Sequence, residues 1–290
     1  MLQQIALVSQ TSRVSLAQLT QASAALQKQV TRDLKPIWEI DATVDAFGQL
    51  RDVPLGYWPV VLRDDIPFPA QGIHLNRANG DPFALVKVSS NWPLTTSHEC
   101  LEMLVDPSGN KTAAGNSIKP GQGRVSYLVE VCDPSEAAAF GYTVNGVLVS
   151  DFYTPEFFSP ATTAGVRYSF VGAIKAPRQV LNGGYLSWFD PASGHAFQLL
   201  VSGNVKRFKD LGPMPDGFGT LRSFTDESAA EHRLKALTGA RPSGLLLNAM
   251  LAAGDAGKTR SRAGGQHVIG DELEGNANRL QRQIDQLCKA

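Results

Sequence analysis

This sequence contains no apolar run that approaches the ~20 residues needed to span a bilayer, so we expect no membrane insertion. Its 27 basic and 27 acidic residues give a formal net charge of zero, which gives no electrostatic indication of nucleic acid as a partner. Its three cysteines are too few and too odd in number for a disulfide framework. A single bridge between Cys100 and Cys132 is the alternative to three free thiols.

The beginning of the chain also has little of what a secretory signal requires. Residues 1–9 have no basic start and no long apolar core. We therefore expect a protein that stays in the cytoplasm or is released without a recognisable signal. A hydrophobic content of 43% and a charged content of 19% over 290 residues are ordinary for one or two globular domains.

Hydrophobic patterning predicts a strand, a long helix and a second strand at the start of the chain. We expect strands over residues 4–9, 40–47, 58–63 and 83–89, and helices over residues 15–35 and 95–105. Pro36 and Pro107 should end the two helices, because the residue before a proline avoids helical geometry. A β-α-β opening favours a parallel or mixed sheet. Short alternating runs between residues 141 and 202 predict a small β-rich region.

The composition changes after residue 205. Residues 206–270 are rich in Gly, Ser, Arg and Lys, and residues 272–287 form a polar helix candidate with leucine and isoleucine at near-heptad spacing. We therefore predict a core over residues 1–205 and an appended segment over residues 206–290 that is partly helical or disordered. Its last helix is a candidate for self-association.

The most informative stretch is His98-Glu99-Cys100-Leu101-Glu102. It reads H-E-x-x-E, one residue away from the H-E-x-x-H of metalloprotease helices, and random placement gives about 0.006 such matches. His98 and Glu102 lie on one helical face, so both can bind one zinc ion. Glu99 can then take a proton from a metal-bound water. The alternative is an amphipathic helix with a polar face.

A catalytic zinc site needs a third protein ligand. Glu130 and Asp133, in Val-Glu-Val-Cys-Asp-Pro, are both candidates, and Asp106 follows Glu102 by one helical turn. Because this set contains three or more carboxylates and one histidine, calcium is an alternative ion.

Three further residues that could take part in a site lie outside these motifs. Tyr153 is a candidate hydrogen-bond donor to a tetrahedral oxyanion, and His195 is a weaker candidate for the same role. His74 has the sequence context of a solvated or structural residue.

Over about residues 3–160 the sequence resembles the N-terminal half of the zincin metalloproteases. The pattern H-E-x-x-E-x-x-x-D-P followed by E-V-C-D-P looks like a group of zincin-like proteins found in bacteria. The residues that carry this resemblance are His98, Glu99, Glu102, Asp106, Pro107, Glu130, Cys132 and Asp133. The resemblance implies an α/β (α+β) fold, with a zincin-like mixed sheet and an active-site helix before the β-rich region and the tail.

The resemblance also implies a function, the metal-dependent hydrolysis of peptide bonds. The resemblance implies that one zinc ion is held by His98, Glu102 and Glu130, and that Glu99 is the general base. It implies that Asp106 and Asp133 support a ligand or replace one. Residues 83–89 would form an edge strand that binds a peptide or protein substrate. Glu102 stands where the family has histidine. A weakly active or inactive zincin-like module with a binding or structural role is therefore the alternative.

Overall fold

The structure is a computed structural model that describes residues 2–77, 79–203, 205–238 and 268–288, without the side chains of residues 230–238 and 268–274. It is a mixed α/β structure. In the described ranges it has two five-stranded sheets, one two-stranded hairpin and helices packed on the sheets. No helix in these ranges combines the length and the apolar composition needed to cross a bilayer.

The first sheet is formed by β1 (Gln3–Ser9), β2 (Ala42–Phe47), β3 (Trp58–Arg63), β4 (Gly72–Asn76) and β5 (Pro82–Lys87). The strand order is β2-β1-β3-β5-β4, and every neighbouring pair is parallel except β4 with β5. Strands β1, β3 and β5 have continuous buried runs, as parallel strands covered on both faces do.

The edge of this sheet differs from the prediction. We expected residues 83–89 to form the edge, but β5 pairs with β3 on one side and β4 on the other. This prediction is wrong, because Phe83, Ala84, Leu85 and Val86 have no exposed surface and suit an interior strand. The edge strand beside β5 is β4, for which we predicted no strand.

The first helix runs further than predicted. α1 (Leu16–Lys28) begins with a capping box between Ser15 and Gln18, and it continues through a π-helical turn (Gln29–Leu34) into α2 (Lys35–Trp38). Pro36 does not end it, because the proline occupies the first turn of α2, where its missing N–H costs little. The helix ends where Glu39 adopts the left-handed conformation.

The helix that carries the motif is α3 (Trp92–Val105), which packs against β4 and β5. It begins three residues before the predicted start because Pro93 is favourable in a first turn. Its end at Asp106, before Pro107, is as predicted.

The second sheet is antiparallel, with the order β12-β11-β10-β7-β6. Its strands are β6 (Thr112–Asn116), β7 (Arg124–Leu128), β10 (Tyr185–Asp190), β11 (His195–Ser202) and β12 (Val205–Pro213), and the hairpin is β8 (Tyr142–Val144) with β9 (Val147–Val149). The predicted β-rich region is therefore present.

The second sheet extends past the predicted division at residue 205. β12 pairs with β11 along its whole length, so a boundary there would separate a strand from its sheet. Among the described residues that follow are the helices α4 (Leu221–Thr238) and α5 (Val268–Leu287). The apolar face of α5 belongs to one buried cluster with Val8, Val61 and Leu85 of the first sheet, so it is not free for self-association. The expectation of disorder falls partly on residues 239–267, which lie outside the described residues.

Candidate metal centre

Polar side chains from α3, β4 and the loop after β7 meet at one buried place. These side chains are His74, His98, Glu99, Glu102, Glu130 and Asp133, and we call them the His/carboxylate cluster. The i, i+1 and i+4 positions on α3 direct its three members toward β4, because α3 packs across that strand. Five of the six are at most 7% exposed.

His98 contacts two carboxylates. Its Nε2 lies 3.2 Å from Oε2 of Glu102 and 3.3 Å from Oδ1 of Asp133. Zinc bonds of 2.0–2.1 Å in tetrahedral geometry hold neighbouring donor atoms about 3.3 Å apart. These two contacts therefore have the spacing of ligands that share an ion.

Glu130, the predicted third ligand, contacts a different histidine. Its Oε2 lies 3.6 Å from Nε2 of His74, and its carboxyl group hydrogen-bonds with that of Glu102. Glu102 thus lies between the two histidines, with its Oε2 also 3.7 Å from Nδ1 of His74. The predicted ligands are brought together, but Asp133 rather than Glu130 lies against His98.

His74 is the site residue that sequence reasoning missed. It is buried at 3% exposure, and its Nδ1 lies 3.0 Å from Oε2 of Glu99. The available signal was the apolar pair Ile73 and Leu75 on either side of it, which is typical of a buried strand. The surrounding prolines and glycines obscured that strand.

Several buried polar atoms of the cluster have no hydrogen-bond partner. They are Nε2 of His74, Oε1 of Glu130 and Oδ1 of Asp133. Leaving a buried polar atom unpaired costs about 1–3 kcal/mol, and more for a charged group. A bound cation would satisfy such atoms. One group with metal-ligand spacing lies wholly within the cluster, and two more combine its residues with Cys132 or Glu136: His74, Glu102 and Glu130; His98, Glu102 and Cys132; His98, Asp133 and Glu136.

Burial and neighbouring charges shift the pKa values of the cluster residues in different directions. Burial opposes ionisation of Glu102, but the charge of His98, its hydrogen bond and the charge of His74 together outweigh burial and lower the pKa of Glu102 to about 2. Burial also opposes protonation of His98, and the charge of Glu102 together with hydrogen bonds to Asp133 and Glu102 raises the pKa of His98 well above its usual value. Burial and then the charge of Glu102 raise the pKa values of Glu130 and Asp133. Burial raises the pKa of Glu99 to about 8.

A buried arginine from α4 reaches the same place. Nη1 of Arg222 donates to the carbonyl of Asp106 at 3.1 Å and lies 3.9 Å from Oε1 of Glu130, and Nη2 donates to Asn76 at 3.0 Å. Arg222 is 2% exposed. It was missed because we assigned its segment to an appended tail.

The cluster opens on a cleft of about 580 Å³. His74, His98, Glu99, Glu102 and Glu130 line it on one side. The facing wall includes Glu136, Tyr185, Gln198 and Asp226. The cluster can therefore be reached by a ligand, although most of its side chains are buried.

Tyr153 is not among the residues that line the cleft. It has no exposed surface, its ring stacks on that of Phe157 at 4.3 Å, and its hydroxyl has no hydrogen-bond partner. Tyr185 is on the cleft wall instead. His195 lies half-exposed in the second sheet and pairs with Asp210 at 2.9 Å, away from the cleft lining.

The side chain of Asp106 forms hydrogen bonds within a turn. Its carboxylate accepts hydrogen bonds from the hydroxyl of Ser108 and the amides of Asn110 and Lys111, so it closes the turn after α3 and is not available as a ligand.

Cys100 and Cys132 are both free thiols, so the alternative bridge is not formed. The amide of Cys132 donates to Oε1 of Glu102 at 3.1 Å and fixes its orientation.

Comparison with protein-family models, with curated proteins and with solved structures found no match for this chain. The inference of function therefore depends on the geometry of the His/carboxylate cluster and its cleft.

Proposed function

We propose that this protein is a zinc-dependent hydrolase of peptide bonds with a zincin-like core. The observation that carries the proposal is the pair of contacts from Nε2 of His98, at 3.2 Å to Glu102 and 3.3 Å to Asp133, beside a cleft. The burial of Oδ1 of Asp133 supports it, because this oxygen has His98 as its neighbour at 3.3 Å and lacks a hydrogen bond of good geometry, so a cation would satisfy it.

The ion would be held by His98, Glu102 and Asp133. An imidazole nitrogen with two carboxylate oxygens suits zinc, whereas calcium and magnesium prefer oxygen alone. When bound, the ion supplies Lewis acidity, which polarises a peptide carbonyl and makes a water molecule more acidic. Glu130, which we predicted as the third ligand, faces His74 instead.

Glu99 is the residue to which we assign the proton transfer. It takes a proton as the water oxygen attacks the carbonyl carbon, and it passes the proton to the amine nitrogen as the C–N bond breaks. Two neighbours fix its position. Nδ1 of His74 donates to Oε2 of Glu99. The backbone of Gly72 also lies against the carboxyl group of Glu99, so closely that a side chain at position 72 would collide with it.

The edge strand β4 is where we propose that an extended peptide binds. Lys87 N donates to Gln71 O at 2.7 Å, so the alternation of antiparallel pairs directs the backbone groups of Gly72 and His74 to the outer edge. Gly72 and His74 also line the cleft. A peptide added there as a strand would pass the cluster.

The second candidate is a zincin-like module that binds a metal or a partner without catalysis. Two observations favour it: a carboxylate, Glu102, in place of the second histidine, and the hydrogen bond that occupies Glu99. An added anionic ligand lowers the effective charge of an ion and makes its bound water less acidic.

Chelator-sensitive cleavage of a mixed peptide library distinguishes the two candidates. We expect zinc-loaded protein to cleave peptides, Glu99→Gln to keep its zinc but lose at least about 100-fold in rate, and His98→Ala to lose the zinc bound at that histidine together with cleavage. Glu156→Gln, on an exposed turn that contacts Ser159 alone, is the matched control and should behave as the wild type. Absence of cleavage by zinc-loaded wild type would contradict the enzyme and favour the module.

A further inference from the structure

We propose that the cluster holds two metal ions, the second bound by His74, Glu102 and Glu130, with Glu102 bridging to the ion on His98. The inference extends the proposed function and rests on it only for the first ion. These three side chains form one of the groups whose donor atoms lie within 4.8 Å of one another. All three are buried, at 3%, 2% and 7% exposure.

The hydrogen bond made by His74 is the first argument. When Glu99 is ionised, as its role as general base requires, its carboxylate oxygen can only accept, so Nδ1 of His74 carries the proton of the 3.0 Å hydrogen bond between them. Nε2 then holds an unshared electron pair. Metal-ligating histidines typically donate their other ring N–H to a carboxylate in this way, which fixes the ring for binding.

The surroundings of that electron pair are the second argument. Nε2 of His74 is buried without a hydrogen-bond partner, and Oε2 of Glu130 lies 3.6 Å from it. Oε1 of Glu130 also lacks a hydrogen-bond partner and has Arg222 3.9 Å away. A cation between His74 and Glu130 would bind both side chains and satisfy these unpaired atoms.

The charge of the cluster is the third argument. Four carboxyl groups, those of Glu99, Glu102, Glu130 and Asp133, are buried together, and the cationic groups in contact with them are the guanidinium of Arg222 and the imidazole of His98. Buried charges require compensation. One dication on His98, Glu102 and Asp133 leaves Glu130 facing His74 unchanged, whereas a second on His74 compensates it.

Glu102 is suited to the bridging position. Its Oε2 lies 3.2 Å from Nε2 of His98 and 3.7 Å from Nδ1 of His74, and Oε1 is held by the amide of Cys132 at 3.1 Å. Sites with two metal ions use such shared ligands to hold both ions beside one substrate. A carboxylate can be shared by two ions and a neutral imidazole cannot, which gives a physical reason for Glu102 in place of histidine.

Zinc content per chain tests the proposal. Purified protein is loaded with Zn²⁺, desalted and measured by elemental analysis, with protein concentration from amino-acid analysis. We expect two equivalents for the wild type and one for each of His74→Asn, Glu130→Gln and His98→Ala. Asparagine at position 74 keeps an amide nitrogen near the Nδ1 position for Glu99 and removes Nε2.

The controls separate this proposal from the first. His195→Asn changes a half-exposed histidine outside the cleft and should retain two equivalents, which excludes loose surface binding. Circular dichroism identifies a variant that fails to fold, and Glu130→Gln, close in shape to the wild type, then decides. One equivalent in the wild type, or no loss in a folded His74→Asn or Glu130→Gln, overturns the second ion. No loss in His98→Ala overturns the first ion and the proposed function instead.

Discussion

Gly72 has a role that its neighbours define. A Cβ at this position would lie 2.3 Å from Oε1 of Glu99 and 2.7 Å from Cγ2 of Thr95. Real Cβ contacts are longer, so any other residue must displace one of these side chains. The absence of a side chain at Gly72 therefore determines where the carboxylate of Glu99 lies.

We expect Gly72→Ala to lower the rate of peptide cleavage by roughly 100-fold, because a displacement of about 1 Å at a catalytic group can cost that much. Zinc content should not change, since Gly72 contacts Glu99 and Thr95 rather than the ligands. Steady-state kinetics with elemental analysis measure both quantities.

Gly123→Ala is the matched control. Gly123 is exposed between β6 and β7, and nothing lies within 4 Å of the added Cβ. Its cleavage rate should equal that of the wild type. Equal rates for Gly72→Ala and Gly123→Ala would show that the position of Glu99 does not limit the reaction.

The sequence allowed only part of the cluster to be predicted, for a physical reason. His98, Glu99 and Glu102 are adjacent on one helix, so helical geometry alone brings them together. His74 and Arg222 reach the cluster through strand pairing and helix packing between distant segments. No local spacing encodes such contacts.

Strand β4 illustrates why an element can be missed. Its five residues contain a glycine, a histidine and an asparagine, and it pairs on only one side, so it needs little of the apolar run that marks β3 and β5. The interior parallel strands were predictable because both of their faces are buried. The prediction therefore assigned the edge to the wrong strand.

We predicted that helix α5 is separable from the core, but it packs against the first sheet. Leu280, Ile284 and Leu287 are at most 2% exposed and belong to the cluster formed by one face of the first sheet. We expect Ile284→Ala to lower the free energy of unfolding by roughly 2–5 kcal/mol, the cost of truncating a buried aliphatic side chain. Urea denaturation followed by circular dichroism measures it.

The comparison variant is Gln286→Ala, on the exposed face of the same helix. It should change the free energy of unfolding by less than about 0.5 kcal/mol. If Ile284→Ala behaves like Gln286→Ala, α5 does not stabilise the core, and the predicted division of the chain regains support.

The molecule as a whole is electrically neutral, yet four carboxyl groups, those of Glu99, Glu102, Glu130 and Asp133, are buried together in the cluster. Loss of a bound ion therefore leaves several carboxylates of the native state without compensation, while the unfolded chain exposes the same groups to water. Ion binding to the native state alone stabilises it, by about 2.7 kcal/mol when the free ion is at 100 times its Kd.

We expect removal of metal by a chelator to lower the Tm of the wild type by roughly 5–10 °C, at about 2–4 °C per kcal/mol for a chain of this size. Added Zn²⁺ should restore the Tm of the wild type fully but that of His98→Ala only in part, because this variant lacks the imidazole common to two of the candidate ligand groups. His195→Asn should respond as the wild type does. Scanning calorimetry at fixed pH checks all three, because protonation of the ligands competes with metal binding. If neither the chelator nor Zn²⁺ changes the Tm, the native state does not bind an ion at the cluster. Its unpaired atoms would then need another ligand.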